Sequence, residues 1–441
     1  MLNGVFFFLI VSSVLVAAFT GTMPKLTSDG AEAAKNAVAL SIGLVGQMAL
    51  WLGMMRILQE GGFMYQMSRA LGPILRRLMP SVPPEHPAMA SMIMNMAANV
   101  LGLGNAATPF GLKAMKELEK LNPHPGVATN AMATFLTINT SGLAVLPLGV
   151  IGVRATLGAK NLGGIILPTA LATITAAVVG VLVAKLLEKR ERFAPERFVE
   201  PVQGADPTAI SKTSESETVK GLGDAEQIAA AKPTSRPHAL FSWVLVGVLL
   251  IGLGKTLVGG TSGGGLDLVK SIVNEWMIPV LMLSILLFGV AKRVKVYEVF
   301  IQGAKEGFNI GVTIIPFLVA ILVAIAMFRA SGAMGFFISL ISPVTSLIGI
   351  PAETLPMAFI RPLSGTGAFA VMTDTMKAYG PDSLVGFIVS VMNGSTETTF
   401  YVLAVYFGSI SVRATRHTVW ACLAADIAGM MSAVIYSRIF F

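Results

Sequence analysis

NGSTETTFY, residues 393–401, sits inside a 30-residue run from Ser383 to Val412 in which Glu397 is the one charged residue. The flanks of that run are apolar and read as a membrane span. Its centre, Asn393 to Thr399, is seven consecutive small or polar residues. A carboxylate at bilayer depth costs about 3 kcal/mol or more, so it marks a functional position. Gly, Ser and Thr around it predict an interrupted helix, which lipid tolerates only where the backbone is buried or lines a cavity. Interrupted spans with a lone acid are how transporters build binding sites.

The rest of the chain supports a membrane reading. It has 441 residues, of which 13% are charged, and a mean hydropathy of +0.74. Soluble domains carry about 25% charged residues. The net charge of +8 is explained by Lys and Arg flanking apolar runs. No basic patch interleaved with aromatics appears, so no nucleic-acid partner is expected. Cys422 is the one cysteine, so no intrachain disulfide forms. The four His, at 86, 124, 238 and 417, have no helical ligand spacing, and no metal site or cofactor is expected. GKT (254–256) lacks the earlier Gly of a phosphate loop, since that position holds Leu249. GGTSGGG (259–265) reads as an external loop, and the 24 Met as adaptable packing. No nucleophile–base–acid set is visible, so the chain is not read as an enzyme.

Uncharged runs near the 20 residues that a crossing needs fall at 1–20, 36–55, 127–153, 161–184 and 307–328. Shorter ones at 239–254 and 276–291 cross with their flanks included. The runs at 383–412 and 418–437 each hold one acid, Glu397 and Asp426. The first run, lacking a basic start and a small-residue cleavage site, is expected to be retained rather than removed as a signal peptide. That makes nine crossings. Residues 86–112 and 354–373 are apolar but hold Asn95, Asn99 and LGLGNAATP (101–109) in one case and RPLSGTGA (361–368) in the other. Both read as re-entrant hairpins, each preceded by an interfacial helix, 62–79 and 332–348. Residues 188–238, rich in charge, Ser, Pro and Ala, read as a flexible cytoplasmic linker between halves 1–187 and 239–441.

The two halves repeat. Gly62 and Pro73 recur as Gly332 and Pro343, Pro83 and Glu85 as Pro351 and Glu353, and Asn139 as Asn393. Gly102-Leu103-Gly104 matches Gly365-Thr366-Gly367, and VRAT occurs at 153–156 and 412–415. Placing most Lys and Arg clusters in the cytoplasm puts the N-terminus inside and the C-terminus outside, so the halves are inverted copies. Arg154, Lys160 and Lys377 fall outside and depart from the rule.

Four broken segments should then meet near a pseudo-two-fold axis: GLGNAATP (102–109), TINTSG (137–142), RPLSGTG (361–367) and NGSTETT (393–399). The solute-binding set read from them is Asn105, Thr108, Asn139, Thr140, Ser141, Arg361, Ser364, Thr366, Asn393, Ser395, Thr396, Glu397 and Thr398. Glu397 has three roles open to it: holding the solute, carrying a coupling proton or cation, or pairing with Arg361. Asp426 can neutralise Arg413 or Arg416 near a helix end, and Asp374 lies near a hairpin end. The expected partners are a small polar or charged solute, the bilayer, a coupling proton or cation, and further copies of the chain.

LGLGNAATPFGLKAM (101–115) resembles the signature of spore maturation protein A. RPLSGTGA with NGSTETTFYVLAVYFG (393–408) resembles that of spore maturation protein B. The chain looks like a fusion of the two, over roughly 1–190 and 239–441. Both belong to the Gate, or nucleoside-recognition, group, similar to the membrane parts of concentrative nucleoside transporters and of FeoB iron transporters. The resemblance implies an all-α, polytopic fold of two inverted Gate-type repeats with helical hairpins and broken transmembrane helices. It further implies a bacterial inner-membrane location, a solute path at the repeat interface and a role in spore or envelope maturation. A transporter or permease is the leading reading, and a non-transporting scaffold the alternative.

Overall fold

The computed structural model describes residues 2–100, 104–144, 146–198, 265–313, 315–347 and 349–441. The expected crossing at 239–254, most of the linker, and Gly102 and Leu103 of the first hairpin lie outside these residues. The described part is helical, and its one isolated bridge joins Val127 to Ala414.

The first half runs α1 (Leu2–Thr20), α2 (Met23–Glu60), α3 (Phe63–Leu78), α4 (Pro87–Val100), α5 (Gly104–Lys120), α6 (Asn130–Thr140), α7 (Leu148–Thr156) and α8 (Ile166–Leu187). The second half repeats the series as α9 (Gly265–Ala291), α10 (Val296–Thr313), α11 (Ile315–Ala330), α12 (Ala333–Leu347), α13 (Leu355–Ile360), α14 (Gly365–Tyr379), α15 (Leu384–Ser395), α16 (Thr399–Gly408) and α17 (Thr418–Phe440). The single long α2 corresponds to α10 and α11 together. α4–α5 and α13–α14 are the two hairpins. The expected crossings at 127–153 and 383–412 are each two half-helices, α6/α7 and α15/α16.

Among the described residues three helices are individually long and apolar enough to cross a membrane: α2, α8 and α17. Phe6–Thr20 and Ile278–Ala291 are shorter apolar helices. The half-helices are too short, at 9 to 12 residues, and span only as pairs.

Sequence signals account for the punctuation. Gly62 and Gly332, matched in the repeat, both take left-handed φ, 76° and 86°, which L side chains avoid. Each separates two successive helices, and the α11–α12 bend is 76°. Thr129 and Ser383 cap α6 and α15, accepting from Met132 N at 3.2 Å and Gly386 N at 3.0 Å. Such caps supply acceptors for N–H donors that the first turn leaves unpaired.

The halves run in opposite senses. Gly53 packs on Phe300, Gly307 on Ala49 and Gly30 on Met327, so α10 and α11 lie antiparallel along α2. Gly180 packs beside Ala421 and Ala425, and Gly429 beside Ala176. Ser432 reaches Ala172 O at 3.4 Å and Thr175 meets Tyr436 at 3.1 Å. Hence α8 and α17 are antiparallel too. Small residues let these backbones approach where lipid supplies no hydrophobic drive. The largest core cluster draws on both halves, from Leu44, Val150 and Ile166 to Leu318, Phe387 and Ala433.

The start of the expected linker is docked rather than free. Two 3₁₀ turns, Glu191–Phe193 and Pro195–Arg197, bring Phe193 onto His417, with ring centroids 6.0 Å apart. Arg416 donates to Phe193 O at 2.6 Å and to Ala128 O at 2.8 Å. One of the charge rule's exceptions, Arg154, is a fully buried clamp. It donates to Pro381 O at 2.5 Å, Asn161 O at 2.8 Å and Asp382 at 2.9 Å.

Candidate functional site

The two interruptions face each other. α6 ends at Thr140, and Ser141 and Gly142 turn the chain away before α7 begins at Leu148. α15 ends at Ser395, Thr396 to Thr398 are extended or irregular, and α16 starts at Thr399. Glu397 N donates to Thr140 O at 2.7 Å, which joins the breaks directly. Gly142 has φ +55°, and a Cβ there would lie 2.9 Å from Thr396 C and 3.0 Å from Glu397 N. Only glycine fits that approach. Thr173 on α8 donates to Ser141 O at 2.8 Å and to Gly142 O at 3.0 Å, which satisfies carbonyls that the helix end frees.

The second hairpin seats on the second break. Its tip, between α13 and α14, places Arg361 so that its guanidinium donates to Thr396 O and lies 3.5 Å from Thr398 Oγ1. Phe400 N, in the first turn of α16, donates to Pro362 O at 3.1 Å. Ser364 caps α14, accepting from Gly367 N at 3.0 Å, and lies 3.4 Å from Thr366. The N-termini of α14 and α16 thus converge near one buried guanidinium, an arrangement that favours negative charge.

Glu397 occupies that field. Its carboxylate is 3.8 Å from Arg361, and its side chain is 54% exposed against 7% for Arg361. Its neighbours Ser395, Thr396, Thr398 and Thr399 are buried, so one carboxylate looks out of an otherwise closed break. Thr366 is exposed as well. The other expected site residues are more enclosed. Thr140 bonds Cys422 Sγ at 3.4 Å, Ser141 bonds Ile138 O at 2.6 Å and Ser395 bonds Met392 O at 3.0 Å. Their hydroxyls are engaged within the protein. Asn393 Oδ1 and Thr396 Oγ1 are buried with no partner among the described residues. Asn105 and Thr108 lie in the opening turns of α5.

A polar chain that joins Asn139 to three residues outside the expected set crosses the same region. Asn139 Oδ1 accepts from Asn99 at 3.0 Å, and Asn99 is 3.4 Å from Asn95. Asn95 donates to Ala107 O at 2.7 Å and to Tyr406 at 3.2 Å. It ties the first hairpin to α6 and to α16 of the other half. The i, i+4 pair of Asn on an apolar helix was the available signal; Tyr406 carries none.

Asp426 does not pair with Arg413 or Arg416. It is 1% exposed on α17 and accepts from Thr399 Oγ1 at 2.6 Å, under the start of α16. Asp374 pairs with Arg329 at 2.5 Å, away from the breaks. Cavities of about 330 Å³ beside Phe328 and Phe359, 270 Å³ beside Asn36 and Lys377, and 200 Å³ beside His124 and Arg416 also lie away from them.

The Gate family model, described as nucleoside recognition, matches residues 41–157 and 312–413. These are the two segments from α2 to α7 and from α11 to α16 that hold hairpins and breaks. Spore maturation protein B of Bacillus subtilis (strain 168) is 48% identical over 165 residues, which are 37% of this chain and 93% of that protein. Spore maturation protein A of the same organism is 35% identical over 192 residues, 44% of this chain and 98% of that protein. The crystal structure of the Alcanivorax borkumensis YdaH transporter aligns over 96% of this chain and 88% of its own, at a TM-score of 0.37 and 11% identity. A likeness at that level carries no argument about mechanism.

Proposed function

Since the chain belongs to the spore maturation protein A and B families, joined in one polypeptide of Gate segments, we propose that it is a secondary transporter or channel-like permease for a small polar or charged solute. The observation that carries this reading is the pair of facing helix breaks joined by the Glu397 N–Thr140 O bond, with a half-exposed carboxylate beside a buried guanidinium. Helix ends turned toward one another leave carbonyls and N–H groups that a hydrophilic guest can use. Glu397 and Arg361 recognise charge, and Asn139, Asn393, Ser364, Thr366, Thr396 and Thr398 supply hydrogen bonds. The bacterial cytoplasmic membrane is the location this reading requires, with the linker inside and a role in spore or envelope maturation. A homo-oligomer is the expected assembly.

The test is a metabolite panel screened by thermal shift on purified protein. A ligand raises stability by RT ln(1 + [L]/Kd), so weak substrates register at millimolar concentration. Glu397→Gln should remove the shift that a true substrate gives, and a shift that survives it would remove Glu397 from the site.

A non-transporting scaffold is the second reading. It is favoured by the internal bonding of the Thr140, Ser141 and Ser395 hydroxyls. Water access separates the two. In a Cys422→Ala background, Thr366→Cys is labelled by a membrane-impermeant thiol reagent if the break opens to water, and stays unlabelled in a sealed scaffold.

A further inference from the structure

Asp426 has no role in the site as drawn above, yet it is the acid least compatible with its surroundings. It is 1% exposed in the middle of α17. One carboxyl oxygen takes a hydrogen bond from the neutral Thr399 hydroxyl at 2.6 Å. The other, Oδ1, is buried and has no partner among the described residues. No basic side chain stands at ion-pair distance among the described residues. Arg361 is the charge that acts on it, and its guanidinium is spent on Thr396 O, Thr398 and Glu397. Cys422, one turn earlier on α17, is the other titratable group facing it. α8 packs on α17 through Ala172, Ala176 and Gly180, and α6 offers Thr137 and Thr140 to Cys422. All of these are uncharged. Glu397, by contrast, is half-exposed and lies 3.8 Å from Arg361.

We propose that Asp426 is a proton site, occupied while the break is closed and emptied when water reaches it. A carboxylate without water or a partner charge is too costly to keep in an apolar interior, and such a group takes a proton instead. The emptied state also has support at hand. Thr399 is the first residue of α16, and a helix N-terminus with its hydroxyl stabilises an anion once water supplies the rest. The O–H bond forms at Asp426 with a proton from hydronium and breaks when the proton returns to water, so nothing else is consumed. This rests on the transport reading of the breaks, and it moves the coupling role from Glu397 to Asp426.

Infrared spectroscopy of the purified full chain tests it without any solute. Wild type and Glu397→Gln should both show the C=O stretch of a protonated carboxyl at neutral pH. Asp426→Asn, of the same shape, should lack it. Thr399→Val removes the one hydrogen bond to the ionised form, so the band should persist to more alkaline pH. An Asp426→Asn spectrum identical to wild type at every pH would overturn the proposal. So would a stabilisation by sodium chloride over choline chloride that Asp426→Asn abolishes, since the occupant would then be an alkali cation. A band at Asp426 in a protein whose Thr366→Cys stays unlabelled keeps the proton site and sinks transport; a labelled Thr366→Cys with no band does the reverse.

Discussion

Gly142→Ala is the sharpest test of the joined breaks. The residue sits at φ +55°, and its added methyl would meet Thr396 C at 2.9 Å and Glu397 N at 3.0 Å. Both atoms are backbone, so neither can rotate away. A left-handed L-residue costs roughly 1–2 kcal/mol, and forcing a carbon into a packed interior roughly 1–3 kcal/mol. The sum, about 2–5 kcal/mol, corresponds to a fall in Tm of about 2–5 °C when the unfolding entropy is scaled to 441 residues. Gly158 gives the control, because it has φ +76° and nothing within 4 Å of its Cβ position. Gly158→Ala therefore carries only the backbone share. Cys422, buried and the only cysteine, reports unfolding through a thiol-reactive dye. Equal shifts in the two variants would refute the close approach of the breaks, because the steric share would then be absent.

Other expectations follow from the same geometry. Glu397→Gln should leave Tm within about 1 °C of wild type, because exposed polar substitutions change stability little, while ligand-induced stabilisation is lost. Arg154→Lys should destabilise by about 3 kcal/mol, because an ammonium cannot hold Pro381 O, Asn161 O and Asp382 at once; denaturant titration showing a loss under about 1 kcal/mol would count against the clamp. At the N-cap of α17, outside the span, burial first and then Arg416 and Lys185 hold the His417 imidazole down at about 4, against the ordinary 6.5. The unfolded chain takes up that proton at a higher pH than the folded one. His417 therefore leaves stability intact above pH 6.5 and erodes it as pH falls toward 4. Tryptophan-fluorescence melts should show a smaller acid loss for His417→Phe than for wild type, and equal losses would contradict it.

Much of this fold was legible because its punctuation is chemical. Glycines at 62 and 332 and the polar runs at 139–142 and 393–399 mark places where a helix must stop. The repeat follows from the shared order of matched residues, and its inversion from the placement of the Lys and Arg clusters. What the residues hid was set by long-range packing. Glu397 reads as a buried acid from its neighbours in sequence, yet it is exposed, because the hairpin tip and the α6 break cover the backbone around it and not its carboxylate. Nearness along the chain leaves Arg413 and Arg416 open as partners of Asp426, whereas one helical face turns it to Thr399. Arg154 broke the charge rule because that rule concerns solvated loops, and this guanidinium is solvated by carbonyls. Asn95, Asn99 and Tyr406 were missed because amides on apolar helices look like isolated defects until a partner from the other half is seen beside them.

The interleaving of the two halves has a consequence for biosynthesis. The ribosome delivers α1 to α8 first, and those helices then wait in the bilayer with α2 and α8 each lacking the neighbour that completes it. The glycines that α10, α11 and α17 pack against, Gly30, Gly53 and Gly180, lack those neighbours until the second half arrives. The early product is thus a vulnerable intermediate, exposed to quality-control proteases for as long as translation of the remainder takes.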